Sequence, residues 1–257
     1  MVDLIRKPHD LIIVMERAKT DLQKVLYHEG IPINEEEKRT ILNQLFKGLS
    51  AIHNNKIIHR DIKPSNVLIS FDGIIKITDF GLSVPLERGV KHSLRGGTLF
   101  YKAIELLMGD EKYDEKVDMW ASGCCMAELW QRKLLFLPAC RTVTKQVAAI
   151  SEYCSFPTEQ EWPEVVTYQY YSPLLNLNHH YKENRLVDSA QRITEGESSA
   201  ADLLTKLLTL NPKDRISSNQ ALTHEYFTRA PVEPNVENLV KKMNGLKLKS
   251  METSSLH

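Results

Sequence analysis

The spacing of apolar residues predicts a chain rich in helices and poor in strands. Residues 11–15 form a short apolar, β-branched run after a turn-like segment, which predicts a buried strand. A long helix is predicted after Asn34, because this side chain can cap it and the glutamates at 35–37 suit its positive end. One apolar face of this helix contains Ile41, Leu42, Leu45, Phe46, Leu49 and Ile52.

Further elements follow from the same patterns. Two apolar runs, 67–69 and 74–77, flank the turn-like sequence Phe-Asp-Gly and predict a β-hairpin. Residues 115–131 would place apolar side chains on nearly every face of a helix, which predicts a buried central helix. The segment from residue 232 to residue 257 is poor in core residues and predicts a flexible tail. Three shorter helices are predicted, opening at residues 20–21 and covering 200–210 and 217–227.

Composition narrows the class of protein. The 257 residues contain 33 Lys plus Arg and 33 Asp plus Glu, so the formal net charge is zero. Nucleic-acid binding and membrane-surface proteins usually carry a basic excess, so neither partner is expected. The sequence shows no secretory signal and no apolar run of membrane-spanning length. The four cysteines lack metal-site spacing and predict free thiols in a reducing compartment, hence the cytoplasm and/or the nucleus.

Two short polar segments carry candidate chemistry for phosphoryl transfer. This reaction needs a carboxylate to orient the attacking hydroxyl, oxygen ligands for Mg²⁺, and positive charge beside the phosphate. Asp61, Lys63 and Asn66 can supply these groups from one loop, and Asp79 can hold metal from the far side of the predicted hairpin. Any one of these aspartates alone would be interpreted as a turn residue. Both segments together, with a hairpin between them, favour the catalytic interpretation.

These segments, 59–66 and 78–81, resemble the H-R-D-x-x-x-x-N and D-F-G motifs of protein kinases. Lys-Pro-x-Asn within the first is similar to serine/threonine kinases rather than tyrosine kinases. Stretches at 97–107, 118–124, 155–163 and 211–217 resemble the cyclin-dependent kinases and their relatives. Residues 20–22 and 224–231 look most like the cell-cycle-related kinase branch, which adds the cilium to the expected locations.

The resemblance implies an α+β, protein-kinase-like fold that is mainly the helical C-terminal lobe. Residues 1–19 would be a remnant of the small lobe and the hinge, 20–231 the C-lobe, and 232–257 the tail. The first glycine is Gly30, and no Val-Ala-x-Lys segment precedes it. The sequence therefore predicts an N-terminally truncated kinase that lacks the glycine-rich lid, the lysine–glutamate pair and the helix used by cyclin-like activators.

The family's catalytic roles can be transferred residue by residue. The resemblance implies that Asp61 is the catalytic base, that Lys63 contacts the γ-phosphate of ATP, and that Asn66 and Asp79 bind Mg²⁺. It places the gatekeeper, hinge, ribose and adenine contacts at Met15, Glu16 to Ala18, Asp21 and Leu68. Met15 and Leu68 could equally be plain core side chains, and Asp21 could be a helix cap.

Regulatory and substrate-binding residues follow from the same resemblance. Ser93 falls where the family carries its activating phosphate, and Arg60 would be one residue of the clamp that binds it. The substrate loop would contain Gly97, Thr98 and Lys102, and the residues with a structural role would be Asp118 and the buried ion pair of Glu105 with Arg215. The sequence departs from the family at Val84, Gly96, Gly97, Lys102 and Ile104.

The expected function is transfer of the ATP γ-phosphate to serine or threonine of protein substrates, with a preference for a following proline. Mg²⁺ and a cyclin or cyclin-like activator are implied by the resemblance. Two rival hypotheses remain at this point. The chain could be a catalytically inactive fragment or pseudokinase that binds proteins, or an unrelated helical interaction protein in which both motifs are coincidental.

Overall fold

The computed structural model describes residues 3–7, 10–27, 30–87, 89–178 and 184–254. The strands within these residues are β1 (Asp3–Arg6), β2 (Leu11–Val14), β3 (Thr20–Asp21), β4 (Ile57–Ile58), β5 (Val67–Ile69), β6 (Ile75–Ile77) and β7 (Val84–Pro85). The helices are α1 (Leu22–Tyr27), α2 (Glu35–Asn54), α3 (Ile104–Met108), α4 (Lys116–Gln131), α5 (Val143–Cys154), α6 (Tyr171–Asn178), α7 (Leu186–Ile193), α8 (Ser198–Leu207), α9 (Ser218–Leu222), α10 (Glu225–Thr228) and α11 (Glu237–Ser254).

Helix α2 begins at the predicted cap. The Asn34 side chain accepts a hydrogen bond from the Glu37 amide at 2.8 Å, and the Glu37 carboxylate accepts one from the Asn34 amide at 2.9 Å. This capping box satisfies two amides that a helix end otherwise leaves unpaired. The predicted apolar face is buried from Ile41 to Leu49, and only Ile52 is half-buried.

Helix α4 is the centre of the core, as its pattern predicts. Every residue from Val117 to Trp130 is buried. It packs against α2, α7 and α8, so apolar side chains are needed on all sides. A helix packed on all sides holds the polar side chain in its first turn, Asp118, in a fixed position.

Two small sheets bring distant parts of the chain together. Strand β5 pairs antiparallel with both β3 and β6, with Asp21 opposite Leu68 and Val67 opposite Ile77. Strand β4 pairs with β7, so that Ile58 lies opposite Val84. The loop after β4 and the loop after β6 are therefore held side by side, although some twenty residues separate them in the sequence.

The prediction that residues 11–15 form a buried strand is wrong about burial. Strand β2 forms, but Ile13 is 53% exposed and Met15 is 61% exposed. It pairs with β1, a strand that the sequence analysis did not predict, in a two-stranded sheet. An apolar run indicates that a strand can be buried. It does not show that other residues of the same chain pack against that strand.

The helix predicted over residues 217–227 is divided into α9 and α10. The break falls at His224, whose ring accepts a hydrogen bond from the Tyr226 amide and caps α10. A local side-chain cap of this kind competes with continuation of the helix.

The expectation that the tail at 232–257 is poor in core residues is also wrong. Helix α11 covers most of it, and Val236, Leu239, Val240 and Met243 are buried. The Val236 amide donates to the Gly73 carbonyl at 2.9 Å. These four positions have the helical spacing i, i+3, i+4, i+7, which the Ser- and Lys-rich residues around them obscured.

Two smaller expectations concern cysteines and membranes. All four cysteines are free; Cys124, Cys125 and Cys154 are buried, whereas Cys140 is exposed. Among the described residues, no helix has both the length and the apolar character that a membrane crossing requires.

Gly73 offers a test of how α11 is held. Its φ is +80°, and an added Cβ would lie 2.8 Å from the Glu237 nitrogen and the Val236 carbonyl carbon. Gly196 has a similar φ of +82° with nothing within 4 Å of an added Cβ. We expect Gly196→Ala to cost about 1 kcal/mol of unfolding free energy from backbone strain alone, and Gly73→Ala about 3 kcal/mol. Chemical denaturation measures both, and equal costs would contradict the packing of this segment on the hairpin.

Candidate active site

A buried carboxylate at the first turn of α4 holds the loop that contains Asp61. Asp118 is 0% exposed and accepts hydrogen bonds from the backbone amides of His59 and Arg60, each at 2.8 Å. The His53 ring lies 3.0 Å from the same carboxylate. Since a buried charge is tolerated only when it is well paired, these contacts fix the backbone directly before Asp61.

The structure brings three other predicted site residues together around the Asp61 carboxylate. Oδ1 accepts from the Thr98 amide at 3.0 Å and from its hydroxyl at 2.9 Å. Oδ2 accepts from Lys63 Nζ at 2.6 Å and from the Asn66 amide at 3.2 Å. Lys63 Nζ also lies 3.0 Å from the Thr98 hydroxyl. The predicted catalytic loop and the predicted substrate loop therefore meet at one carboxylate.

The pKa of Asp61 reflects two opposing effects. Burial raises the pKa. The hydrogen bonds from Lys63 and Thr98 together lower it by more than burial raises it, so the net pKa lies below the ordinary value. Asp61 is therefore ionised at neutral pH. A carboxylate of this kind can accept a hydrogen bond from a hydroxyl and orient it.

Asp79 follows β6 in a left-handed backbone conformation, with φ +67° and ψ +68°. The residue before it, Thr78, donates its amide to the Asn66 carbonyl at 3.0 Å, and the His59 ring lies 3.0 Å from the Thr78 carbonyl. The rings of His59 and Phe80 meet edge to face at 4.9 Å. These contacts join the two motifs and aim Asp79 away from the core, where its side chain is exposed.

Asn66 and Asp79 fit a magnesium ion. Asn66 uses its amide nitrogen for the Asp61 carbonyl at 2.9 Å, which leaves its amide oxygen for another partner. No described hydrogen bond or ion pair engages the Asp79 carboxylate. Mg²⁺ prefers such oxygen ligands and completes its octahedron with water and substrate phosphates. Among the described residues, no three His, Cys, Asp or Glu side chains form a metal cluster, so the phosphates would be needed to complete this site.

The residues predicted to contact the nucleotide lie in two parts of the structure: on strands β3 and β5, and in the segment that follows β2. Asp21 and Leu68 face each other across β3 and β5, and Asp21 also caps α1 by accepting from the Lys24 amide at 2.9 Å. Met15 is exposed, which excludes the alternative that it is a core side chain. Glu16 is exposed too and pairs with Lys76, while Ala18 is half-buried.

The predicted regulatory arginine already contacts the loop that carries Ser93. Arg60 donates to the backbone carbonyls of Ser93 at 2.5 Å and of Arg95 at 2.9 Å. Its guanidinium also lies 5.7 Å from the centre of the Tyr113 ring, and Tyr113 donates to the Ser93 carbonyl at 2.9 Å. The Ser93 side chain itself is exposed.

The substrate loop depends on two neighbouring residues. Gly97 has φ +73°, and an added Cβ would lie 2.9 Å from the Arg60 carbonyl oxygen. Lys102 donates to the Leu94 carbonyl at 2.9 Å, and burial together with the nearby Arg60 charge lowers its pKa. A glycine at position 97 thus allows a close approach to the catalytic loop.

Glu105 and Arg215 form a buried, two-pronged ion pair at 2.6 and 2.9 Å. The remaining guanidinium donors reach backbone carbonyls, and the guanidinium lies 5.1 Å from the centre of the Trp120 ring. Because every donor is engaged, this pair ties α3 to the segment before α9 without leaving a charge unpaired.

The chain matches the protein kinase domain over residues 1–227. It belongs to the protein kinase family. Cyclin-dependent kinase 9 from Homo sapiens is 33% identical over 235 residues, which cover 90% of this chain and 62% of that protein. Cyclin-dependent kinase C-3 from Oryza sativa subsp. japonica is 39% identical over 219 residues, covering 85% and 64%. The chain thus spans less than two thirds of these relatives' length.

Solved structures agree with the sequence relatives. The yeast RNA polymerase II CTD kinase complex CTDK-1 contains a chain of 29% identity that superposes with a TM-score of 0.84, covering 90% of this chain and 76% of that one. The CAK complex from Chaetomium thermophilum bound to ATP-gamma-S gives 27% identity and a TM-score of 0.80, covering 92% and 73%. The predicted kinase fold and the resemblance to cyclin-dependent kinases are confirmed. The assignment to the cell-cycle-related branch stays a prediction.

A buried acidic group near the predicted substrate loop was not among the predicted site residues. Glu128 of α4 is 0% exposed and accepts a hydrogen bond from the Tyr27 hydroxyl at 2.5 Å. Tyr101, three residues after Thr98, lies near the same carboxylate and lowers its pKa. Burial raises the pKa of Glu128 to about 7, although the two tyrosines act against the shift. A glutamate in the last part of a largely apolar helix was the available signal.

Glu128→Gln tests this shift through the pH dependence of stability. Because the folded pKa lies above the ordinary value of 4.5, the protein loses stability as the pH rises from about 4.5 through about 7. Glutamine cannot titrate, so the variant should not show this loss. The unfolding free energy of the variant minus that of the original protein should therefore rise by about 3 kcal/mol across that range. Urea titrations at several pH values measure it, with exposed Glu152→Gln as the control. Parallel pH profiles for the original protein and Glu128→Gln would contradict the assignment.

Proposed function

We propose that the protein to which this chain belongs transfers the γ-phosphate of ATP to serine or threonine hydroxyls of protein substrates. The observation that carries the proposal is the Asp61 carboxylate, held between Lys63, Asn66 and Thr98 at 2.6 to 3.2 Å. Membership of the kinase family and the ATP-gamma-S in one structural neighbour support it.

The residues divide the work of the reaction. Asp61 accepts a hydrogen bond from the substrate hydroxyl and aligns it with the phosphorus, and Lys63 offsets charge on the transferring phosphate. Asn66 and Asp79 would hold Mg²⁺, which, when bound, neutralises charge on the phosphates. The fixed carboxylate supplies positioning, which is the larger part of catalysis in this reaction.

The protein partners are a separate part of the proposal. Both structural neighbours are named as complexes, one of them as a kinase complex, and the sequence relatives are cyclin-dependent kinases. We therefore propose protein substrates and a cyclin-like activator for this protein as well.

A catalytically inactive, protein-binding role is the second candidate. The two-stranded sheet of β1 and β2 favours it, because Leu4, Ile5, Ile12 and Ile13 are all more than a third exposed. Exposed apolar side chains grouped on one sheet are typical of a surface that another protein covers.

A chimera distinguishes the two candidates. The part of human cyclin-dependent kinase 9 that precedes the matched region would be joined upstream of Met1 to supply a glycine-rich loop. We expect this chimera to phosphorylate a generic protein substrate, and Asp61→Asn to lower the rate by roughly 10²- to 10⁴-fold. Asp72→Asn, on the exposed hairpin turn, is the matched control and should leave the rate unchanged. Incorporation of labelled phosphate measures all three.

The 257-residue chain alone provides the complementary measurement. It should bind Mg-ATP weakly and turn over negligibly, because its sequence contains no glycine-rich loop to position the phosphates. Calorimetric affinity in the micromolar range with steady turnover would contradict this expectation. A chimera that binds Mg-ATP yet shows no activity sensitive to Asp61 would favour the binding module.

We expect a weak preference for proline after the phosphorylated residue. In the family, the backbone around this loop offers no partner for the substrate N–H, and proline has none. Gly97 replaces a bulkier family residue and adopts a φ of +73° without the strain that a side chain would bear there, which supports a weaker preference. A peptide array with the chimera measures the preference, and the Asp61→Asn chimera on the same array supplies the background. A preference for basic residues with no enrichment of proline would contradict it.

Phosphorylation of Ser93 should stabilise the chain by about 1 kcal/mol, the size of a single charge-assisted hydrogen bond. Arg60 already donates to the Ser93 backbone carbonyl, which supports Arg60 as the cation that would bind the phosphate. Thermal unfolding of the phosphorylated chain against Ser93→Ala measures the effect. It should vanish in an Arg60→Ala background and persist in Arg95→Ala, and persistence in both would show that no clamp exists.

A further inference from the structure

An exposed cation lies against the predicted substrate loop. The Arg141 guanidinium is 5.5 Å from the centre of the Phe100 ring, which is half-buried. Phe100 follows Thr98 by two residues, and Thr98 donates two hydrogen bonds to the Asp61 carboxylate. Arg141 therefore stands beside the part of the chain that, under the proposed function, binds the protein substrate.

The backbone around Arg141 is held in place. The Thr142 amide donates to the Cys140 carbonyl at 2.9 Å, and the Thr142 side chain caps α5 by accepting from the Lys145 amide at 3.3 Å. Helix α5 in turn packs against the short helical turn Leu99–Tyr101. The contact between the arginine and the substrate loop thus joins two fixed segments, which gives the guanidinium a defined position.

Both segments that meet at this contact contain no acidic residue. Residues 88–104, which include the substrate loop, contain four Lys plus Arg and no Asp or Glu. Residues 129–151, which include Arg141, also contain four Lys plus Arg and no Asp or Glu. Because the net charge of the whole chain is zero, this part of the surface is positive while the rest carries the balancing negative charge.

Arg141 has no anionic partner within the part of the chain that the structure describes. Other cations of the two segments are engaged: Lys91 pairs with a glutamate, and Lys102 donates to a backbone carbonyl. No described hydrogen bond or ion pair engages the Arg141 side chain. Its contact with the Phe100 ring does not use the N–H donors of the guanidinium, so these remain available to a ligand.

Stability alone does not account for Arg141. A cation beside an aromatic ring stabilises a fold only modestly at an exposed site. Arg141 also directly precedes Thr142, the cap of α5, where the helix dipole disfavours a positive charge. The fold therefore gains little from a cation at this position, whereas a ligand of opposite charge gains from it.

We propose that Arg141 selects protein substrates with an anionic side chain, a carboxylate or a phosphoserine, about two to five residues after the phosphorylated residue. The inference rests on the proposed function, which puts the residue after the phosphorylated one at this loop. An extended peptide covers roughly 3.3 Å per residue, so a chain that leaves Asp61 and passes Phe100 brings these positions within reach of the guanidinium. The fork of N–H donors matches the oxygens of either anion.

Peptide binding to the 257-residue chain tests Arg141 without requiring catalysis. Each fluorescein-labelled peptide contains one serine and, at one of the four positions two to five residues after it, glutamate, phosphoserine or glutamine. Fluorescence anisotropy at low ionic strength should show an anionic peptide binding about three- to fivefold more tightly than its glutamine counterpart. Preference for glutamate identifies acidic substrates, and preference for phosphoserine alone identifies substrates phosphorylated beforehand. Equal binding of all peptides would overturn the proposal.

Variants assign the preference to one side chain. Arg141→Gln should reduce it to less than about 1.5-fold, and Arg141→Lys, which keeps the charge but not the fork, should retain about half of it. Lys133→Gln makes the same change in net charge at an exposed position of the same acid-free segment and should leave the preference unchanged. Equal effects of Arg141→Gln and Lys133→Gln would mean non-specific attraction and would overturn the proposal.

Kinetics of the chimera with an upstream glycine-rich loop separate this inference from the proposed function. In an active chimera, the anionic peptide should have a KM about threefold lower than the glutamine peptide with kcat unchanged, because Arg141 touches the peptide and not the reacting atoms. Arg141→Gln should remove the difference. An active chimera with equal KM values would overturn the role of Arg141 and leave the proposed function standing. An inactive chimera would overturn the proposed function, and binding to the chain alone would still decide the role of Arg141.

Discussion

The structure of the active site depends on the buried Asp118 carboxylate. It lies at the first turn of a helix that is apolar on all sides, and it accepts hydrogen bonds from the amides of His59 and Arg60. The His53 ring completes the set from α2. A buried charge without partners would cost several kcal/mol, so the loop backbone and this carboxylate stabilise each other.

The rest of the site follows from that anchor. With its backbone held, Arg60 adopts φ +72° and directs its side chain toward the loop of Ser93. Asp61 then points the other way and meets Thr98, 37 residues further along the chain. One buried contact thus sets the direction of two adjacent side chains for which different roles are predicted. The rigid α4 makes this possible, because its packing leaves the anchor no freedom to move.

The sequence predicted what depends on neighbouring residues. The cap at Asn34, the β5–β6 hairpin and the buried α4 all follow from local spacing, and all are confirmed. The exposure of β2 was not predictable, because burial depends on what covers a strand rather than on the strand itself. The docking of α11 was missed although its apolar spacing is helical, because the surrounding composition suggested a tail.

Among the site residues, too, those close in sequence could be predicted and those brought together from distant parts of the chain could not. Asp61, Lys63 and Asn66 share a loop, so their proximity could be expected from sequence spacing alone. Thr98 was assigned to a substrate loop only by resemblance to a family, and its contact with Asp61 was not predicted, since no local pattern relates the two positions. Glu128 and its tyrosine partners were missed because three separate elements contribute to one buried cluster. Long-range polar contacts of this kind are invisible to periodicity.

The crowding around Asp61 also limits how the site can work. A carboxylate has about four acceptor positions, and here Thr98 fills two while Lys63 and Asn66 take the others. In the proposed reaction, the substrate hydroxyl must therefore take the place of one donor. Lys63 is the one that can leave, because its side chain is 22% exposed and its ammonium is attracted to an arriving phosphate. Movement of Lys63 toward the phosphate would release Asp61 Oδ2 for the hydroxyl. The donor that holds the carboxylate in the free protein would thus be the same group that offsets phosphate charge during transfer.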